Sequence, residues 1–213
     1  MDRAELERKI REELEKILKE DNNNNEFMVE ASGRHVHLSK EHLEQLFGKG
    51  YELTIAKELS QPGQYAAKER IRVIGPKGEF SNVVILGPCR DFSQVELSLT
   101  DCKDIGIKGV LRESGKIEGT PGILIGVGEN YIQLDKGAIV AKRHIHMTPE
   151  DAEKLNVKDN ELVKVKVSGE RPVIFDDVLI RVKSSFRLSM HIDYDEANAC
   201  GYTSGVKGSI IRE

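Results

Sequence analysis

The chain has 213 residues, a formal net charge of −4, 38% hydrophobic residues and 32% charged residues. Such a chain can bury a substantial core in one or two domains, is not disordered, and lacks the positive field that would attract nucleic acid or an anionic membrane. No apolar run reaches membrane-spanning length, the first residues are charged rather than a hydrophobic leader, and three cysteines (Cys89, Cys102, Cys200) without Cys-x-x-Cys spacing suit a reducing cytoplasm, as small buried hydrophobes.

Residues 1–20 carry Leu6, Ile10, Leu14, Ile17 and Leu18 at helical spacing on a background of Glu, Arg and Lys, which predicts an amphipathic helix with a narrow apolar stripe. Residues 21–26 are a polar, Asn-rich linker. The stripe has to bury its face on the protein's own body, on the mate of a homo-oligomer, or on a separate partner. Its polar face carries both signs of charge, which argues against a membrane surface.

From Phe27 the pattern changes to short strands. Phe27 to Val29 leads through Glu30-Ala31-Ser32-Gly33 into Arg34-His35-Val36-His37-Leu38-Ser39-Lys40-Glu41. Residues alternate across a strand, so His35 and His37 share one face. Ser39 suits a helix N-cap, and Lys40 to Phe47 reads as a short helix stopped by Gly48 and Gly50, with His42 facing solvent. Strand-like pieces follow at Leu53–Ile55, Ile71–Ile74, Ser81–Leu86, Val95–Thr100 and Lys108–Leu111, separated by Pro/Gly turn signals. Ile123–Val127 and Ala138–Ala141 then lead into a second copy of the His motif, Arg143-His144-Ile145-His146-Met147-Thr148-Pro149-Glu150. Pro149 falls at the first helical position after Thr148, where Pro is favoured. Glu161–Val167, Val178–Val182 and Arg187–Ile192 complete the strand series. Short, evenly spaced strands predict small β-barrels, and the repeated motif predicts two related units with a site at their interface.

The chemistry centres on the two His-x-His pairs. Two neutral imidazoles on one strand face suit a borderline-soft divalent cation such as zinc. A catalytic zinc takes a third protein ligand and keeps an open position. His191, within His191-Ile192-Asp193-Tyr194-Asp195-Glu196-Ala197-Asn198, is one candidate; Glu96, mid-strand between Val95 and Leu97, is another. Gly87-Pro88-Cys89-Arg90 presents Arg90 at a strand end, where its planar fork suits phosphate or carboxylate. Ser32-Gly33 allows close backbone approach to a bound group. There is no phosphate-cradling P-loop, no dinucleotide fingerprint and no Gly-x-Ser-x-Gly elbow.

Ser32 to Leu38, Gly87-Pro88-Cys89-Arg90, Gln94-Val95-Glu96, Ala141 to Met147 and His191 to Asn198, in this order, resemble the PduL-type phosphate acyltransferases (phosphotransacylases), from about residue 27 to the C-terminus. The resemblance implies a mainly β protein of two small β-barrels with short helices, the first built from 27–33 with 142–213 and the second from 34–141. It implies two divalent metal ions, usually zinc, one bound by His35, His37 and Glu96 and the other by His144, His146 and His191. Arg90 would hold phosphate as the catalytic arginine, and Ala31, Ser32, Gly33, Lys77 and Asn198 would contact coenzyme A. The implied reaction interconverts a short-chain acyl-CoA (propanoyl-CoA or acetyl-CoA) and phosphate with acyl phosphate and coenzyme A. Residues 1–20 and their linker are similar to the encapsulation helix by which some members enter bacterial microcompartments; other members are free in the cytoplasm. Two rival readings are a metal-dependent thioester or phosphoester hydrolase, which would need no phosphate, and a scaffold protein with structural zinc, which would close each metal with four ligands.

Overall fold

The computed structural model describes residues 5–11 and 25–211. Residues 5–11 are helical, with Leu6 and Ile10 exposed; Leu14, Ile17 and Leu18 lie outside the described residues, as does most of the 21–26 linker. From residue 26 come β1 (Glu26–Ala31), β2 (His35–His37), a helix Lys40–Phe47, β3 (Ile55–Glu58), β4 (Tyr65–Gly75), β5 (Gly78–Gly87) and β6 (Gln94–Glu96). A helix Leu99–Ile105 precedes β7 (Leu111–Arg112), β8 (Ile123–Val127), β9 (Asn130–Leu134), β10 (Ala138–Ala141) and β11 (His144–Met147). After a helix Pro149–Lys154 come β12 (Leu162–Val167), β13 (Val173–Val182), β14 (Ser189–Ile192), a helix Tyr194–Cys200 and β15 (Lys207–Ile211).

The strands form two units, as a mainly β reading requires. One is a closed six-stranded barrel in the order β1-β14-β11-β13-β12-β15, with β15 returning to β1. The other is a nine-stranded sheet running β7-β10-β6-β2-β5-β4-β8-β9, with β3 on β4. It is a half-barrel rather than a second closed cylinder: its path ends at β7 and β9. Each unit has its own core. Val29, Ile145, Val165, Val178, Ile180 and Met190 lie at the centre of the barrel; Val36, Leu38, Ile71, Val73, Ile85, Val95 and Ile125 fill the other.

The chain crosses between the units twice. β1 lies in the barrel, parallel to β14, and leads directly into β2 of the open sheet. β10 lies in the open sheet, parallel to β6 and β7, and leads directly into β11 of the barrel. Each crossover ends on a His pair, so both pairs come to the seam.

Four short helices begin just beyond the strands at that seam, and each has a side-chain cap. Ser39 accepts from the His42 backbone N–H, while Ser98, Thr148 and Asp193 form capping boxes with Asp101, Asp151 and Glu196. Such caps satisfy backbone donors that a helix N-terminus leaves open, for about 1 kcal/mol each. Three sequence expectations change here. Val95–Thr100 is not one strand: the Ser98 box turns Leu99–Ile105 into a helix. The stretch Lys108–Leu111 contributes only the short pairing β7. His42 does not face solvent freely: it is half-buried, with its Nδ1 2.8 Å from the Ser93 hydroxyl, which also accepts from the Ser39 N–H. β9, β15 and the helix Tyr194–Cys200 are additional to the sequence reading.

Candidate metal and anion site at the seam

The two His pairs sit in matching ladders. In the open sheet β2 runs antiparallel to β6, with His35 opposite Glu96, Val36 opposite Val95 and His37 opposite Gln94. In the barrel β11 runs antiparallel to β14, with His144 opposite His191, Ile145 opposite Met190 and His146 opposite Ser189. Side chains directly opposite in a ladder share a face, so each register gathers three ligand-type groups.

The match extends to the ring nitrogens. His35 Nδ1 is 2.8 Å from the Gly33 carbonyl and His144 Nδ1 is 2.8 Å from the Lys142 carbonyl, two residues back in each case. A carbonyl can only accept, so Nδ1 carries a proton and, in the neutral ring, Nε2 keeps its lone pair, the arrangement that orients a metal-ligating His. Nδ1 of His37 and Nδ1 of His146, again at equivalent places, are buried without a hydrogen-bond partner. Buried polar atoms are seldom left so. In His37 it is the other ring nitrogen, Nε2, that faces Glu96, so the fit of this triad to a cation rests on its donor set.

Among the described residues, the ligand atoms of His35, His37 and Glu96 all lie within 4.8 Å of one another. Glu96 oxygens stand 3.5 Å from His35 Nε2 and 3.7 Å from His37 Nε2. In the barrel triad ring centroids are 4.6 Å apart for His144–His146, 4.9 Å for His146–His191 and 5.3 Å for His144–His191, against 5.0 Å for His35–His37. Phe186 packs on the His146 ring at 4.1 Å between centroids.

Their electrostatics differ. Burial depresses His35, but the Glu96 carboxylate outweighs it and holds the imidazole above its ordinary value. Burial likewise pushes Glu96 upward, and His35 and His37 overcome it, keeping the carboxylate well below its usual range. His37 is driven far down by burial, then by His35 and Arg90. In the barrel, burial brings His144 and His191 to about 4 and His146 to about 2, with neighbouring imidazoles adding to the fall for His144 and His146. Three neutral imidazoles each keep a lone pair at neutral pH, and two imidazoles with an ionised carboxylate make an equally suitable donor set for zinc.

Arg90 reaches the seam from the turn after β5. Its backbone N–H bonds the Leu38 carbonyl at 2.9 Å, beside the His35–His37 strand. Its Nη1 donates to the Ser114 hydroxyl at 3.1 Å, and Ser114 donates to Glu96 Oε1 at 2.7 Å. Gln94 Nε2 donates to the same Glu96 oxygen at 2.7 Å. Burial depresses the Arg90 guanidinium, Glu96 opposes that, and Arg181 adds to it. Arg181 sits on β13 opposite His146, so two guanidiniums face one space, and among the described residues no carboxylate is bonded directly to either.

That space is a cleft of about 900 Å³, lined by both triads, Arg90, Arg181, Ala31, Ser32 and Gly33. A side chain at Gly33 would start 2.6 Å from the ring of the exposed Tyr194, which would have to swing aside to admit it. Lys77 and Asn198 do not line the cleft. Lys77 borders a shallower depression with Lys103 and Lys108, and Asn198 is exposed on the helix Tyr194–Cys200. Ser114, Gln94 and Arg181 escaped the sequence reading as site residues. Ladder register reveals Gln94 and Arg181, and the turn after β7 brings in Ser114, although Gln94 and Ser189 each stand two residues before a third ligand.

The family model described as phosphate propanoyltransferase matches residues 28–203. A phosphate propanoyltransferase from Leptotrichia buccalis is 77% identical over 210 residues, covering 99% of both chains. One from Sebaldella termitidis is 68% identical over the full length of both, and one from Clostridioides difficile is 60% identical over 185 residues, 87% of this chain and 88% of the relative.

The depressed histidines give a pH signature in protein stripped of divalent cations. Unfolded, these side chains titrate near 6.5; folded, His144 and His191 do so at about 4. Between those values the unfolded chain binds more protons, so stability falls as pH drops from about 6.5 toward 4. His35, with its raised value, opposes this only in part. Denaturant midpoints of chelated protein should be lower at pH 5 than at pH 7.5, and His191→Gln should flatten the difference. An equal slope in that variant would contradict the assignment.

Proposed function

The chain belongs to the phosphate propanoyltransferase family, and from that premise we propose that it moves a short acyl group, propanoyl or acetyl, between coenzyme A and inorganic phosphate in the cleft at the seam. The observation that carries this reading is the company Arg90 keeps: an arginine fork tethered through Ser114 to Glu96, in one space with two clusters of cation-binding side chains.

His35, His37 and Glu96 would hold one divalent cation and His144, His146 and His191 a second, most simply zinc given the imidazole-rich donors. When bound, such ions polarise a thioester carbonyl and stabilise a leaving thiolate. The chain's own groups do the rest. Arg90 binds phosphate through its planar fork and keeps an oxygen directed at the acyl carbon. Arg181 adds a second positive charge across the cleft. Ser114 and Gln94 hold Glu96 ionised and fixed. Ala31, Ser32 and Gly33 form the wall along which coenzyme A lies, and Lys77 and Asn198, outside the cleft, are left for the distal parts of that long ligand. A phosphate oxygen attacks the carbonyl carbon, a C–O bond forms, the C–S bond breaks, and coenzyme A leaves as thiolate. The reverse attack restores acyl-CoA. Proximity and fixed charge supply most of the acceleration.

No protein nucleophile is called for. Burial pushes Cys102 up to about 11 and raises Cys89 and Cys200 as well, so all three remain protonated thiols at neutral pH. No helix among the described residues is long and apolar enough to cross a membrane. Residues 1–20 would serve as the encapsulation helix of a microcompartment enzyme; Leu6 and Ile10, at 43% and 51% exposure, leave apolar surface open for a shell protein.

Three measurements test this. Purified protein with propanoyl-CoA should release free thiol only when phosphate is present, and chelation, His35→Ala or His144→Ala should lower the rate at least a hundredfold with the fold retained. Thiol release without phosphate would point to a hydrolase instead. Arg90→Ala should raise KM for phosphate tenfold or more while KM for acyl-CoA changes little; unaltered phosphate kinetics would remove Arg90 from that role. Deleting residues 1–25 should leave turnover intact and abolish co-purification with shell protein, and unchanged association would defeat the encapsulation reading.

A further inference from the structure

Gln61 lies in the turn between β3 and β4 of the open sheet, yet its bonds are made to the barrel. It is 3% exposed. Its Nε2 donates to the Ser189 hydroxyl at 2.8 Å and to the Arg187 carbonyl at 2.9 Å, while its Oε1 accepts from the Arg187 N–H at 3.1 Å. Flipping the amide would set donor against donor at Arg187, so its orientation is fixed. Ser189, itself 2% exposed, sits on the far side with its oxygen 3.1 Å from His191 Nε2. The preceding residue works on the opposite edge of the same ring. Ser60 donates to Glu30 Oε2 at 2.5 Å, and that oxygen is 3.8 Å from His191 Nδ1. One dipeptide of the open sheet thus stands behind both neighbours of an imidazole that belongs to the barrel: Ser189 is bonded to its Nε2, while Glu30 lies beyond hydrogen-bond reach of its Nδ1. The first triad has no such arrangement: Gln94, at the register position equivalent to Ser189, bonds Glu96 from within its own sheet.

We propose that Gln61 is the positioning residue of the second cation site. It holds Ser189 where the hydroxyl accepts from His191 Nε2, which leaves the Nδ1 lone pair for the cation, fixes the plane of that ring, and makes the affinity of the site depend on how the two sheets dock. The inference rests on reading His144, His146 and His191 as cation ligands. It differs from that reading in placing a determinant of the barrel's cation outside the barrel.

Gln61→Met keeps side-chain length and removes the amide. Ser189→Ala removes only the hydroxyl and leaves both Arg187 bonds in place, so it reports even if the first variant docks poorly. Stripped wild-type and variant proteins are titrated with cobalt(II) and zinc against a chromophoric chelator, alongside His191→Ala. The wild type should bind two cations per chain. In both test variants one cation should keep its affinity, and the other should weaken about ten- to a hundredfold, as loss of an outer-shell partner does. The weakened cation should be the one lost in His191→Ala, with an altered cobalt absorption band, and kcat should fall while KM for acyl-CoA stays within about twofold. Two cations bound as tightly as in wild type, with an unchanged cobalt spectrum, would overturn the proposal, as would equal weakening of both. A His191→Ala variant that binds both cations as tightly as the wild type would instead overturn the cation-site reading beneath it.

Discussion

The structure depends on one constraint, the strand register that sets His35 against Glu96 and His144 against His191. Between these ligand-type residues, on the opposite face, stand Val36 and Val95 in the open sheet and Ile145 and Met190 in the barrel, all fully buried. The same alternation therefore builds a core on one side and a site on the other. A slip of one residue in either ladder would drive imidazoles into a hydrophobic core and valines into the cleft. The register is held by the whole core, so the three groups of each triad are brought together before anything binds them. Burial then keeps the barrel imidazoles neutral, and the carboxylate of the other triad is kept ionised by its imidazole neighbours and by bonds from Gln94 and Ser114.

The repeat is deeper than its two obvious copies. His37, Glu96, His146 and His191 each stand two residues before a helix cap, Ser39, Ser98, Thr148 and Asp193 respectively. Each unit is thus a pair of strand–cap–helix pieces laid antiparallel, and the molecule contains four. The cap turns the chain away immediately beyond the ligand, which leaves the strand end open to the cleft instead of covering it with a loop. Within this frame the units diverge where their chemistry does: Glu96 answers His191, Gln94 answers Ser189, and Arg181 lies opposite His146 on the parallel strand.

Some of this was legible in the sequence and some was not, for identifiable reasons. The two His-x-His motifs, their caps and Pro149 could be read because each signal is local and repeated. Glu96 and His191 could be named only as candidates, since a single ligand on a strand carries no spacing of its own. The helices after Ser98 and Asp193 went unread, although both have capping-box sequences, because the apolar alternation before them masks the cap. Arg181 owes its place to ladder register, Gln61 to a turn that crosses the seam and Ser114 to the turn after β7, which no local pattern encodes. His42, assigned to solvent by its position on a short helix, is held by Ser93 from a distant loop.

The exchange of strands at the seam also bears on how the molecule comes into being. β1, among the earliest ordered segments to leave the ribosome, has as its neighbours β14 and β15, the last strands to be synthesised. Until they emerge, β1 is an unpaired edge carrying Phe27 and Val29 in search of a core, the kind of nascent segment that attracts other chains. Biogenesis of the cylinder is in this sense circular: its beginning waits for its end. Removal of β15 would leave an opened cylinder with an exposed edge on β1 and another on β12.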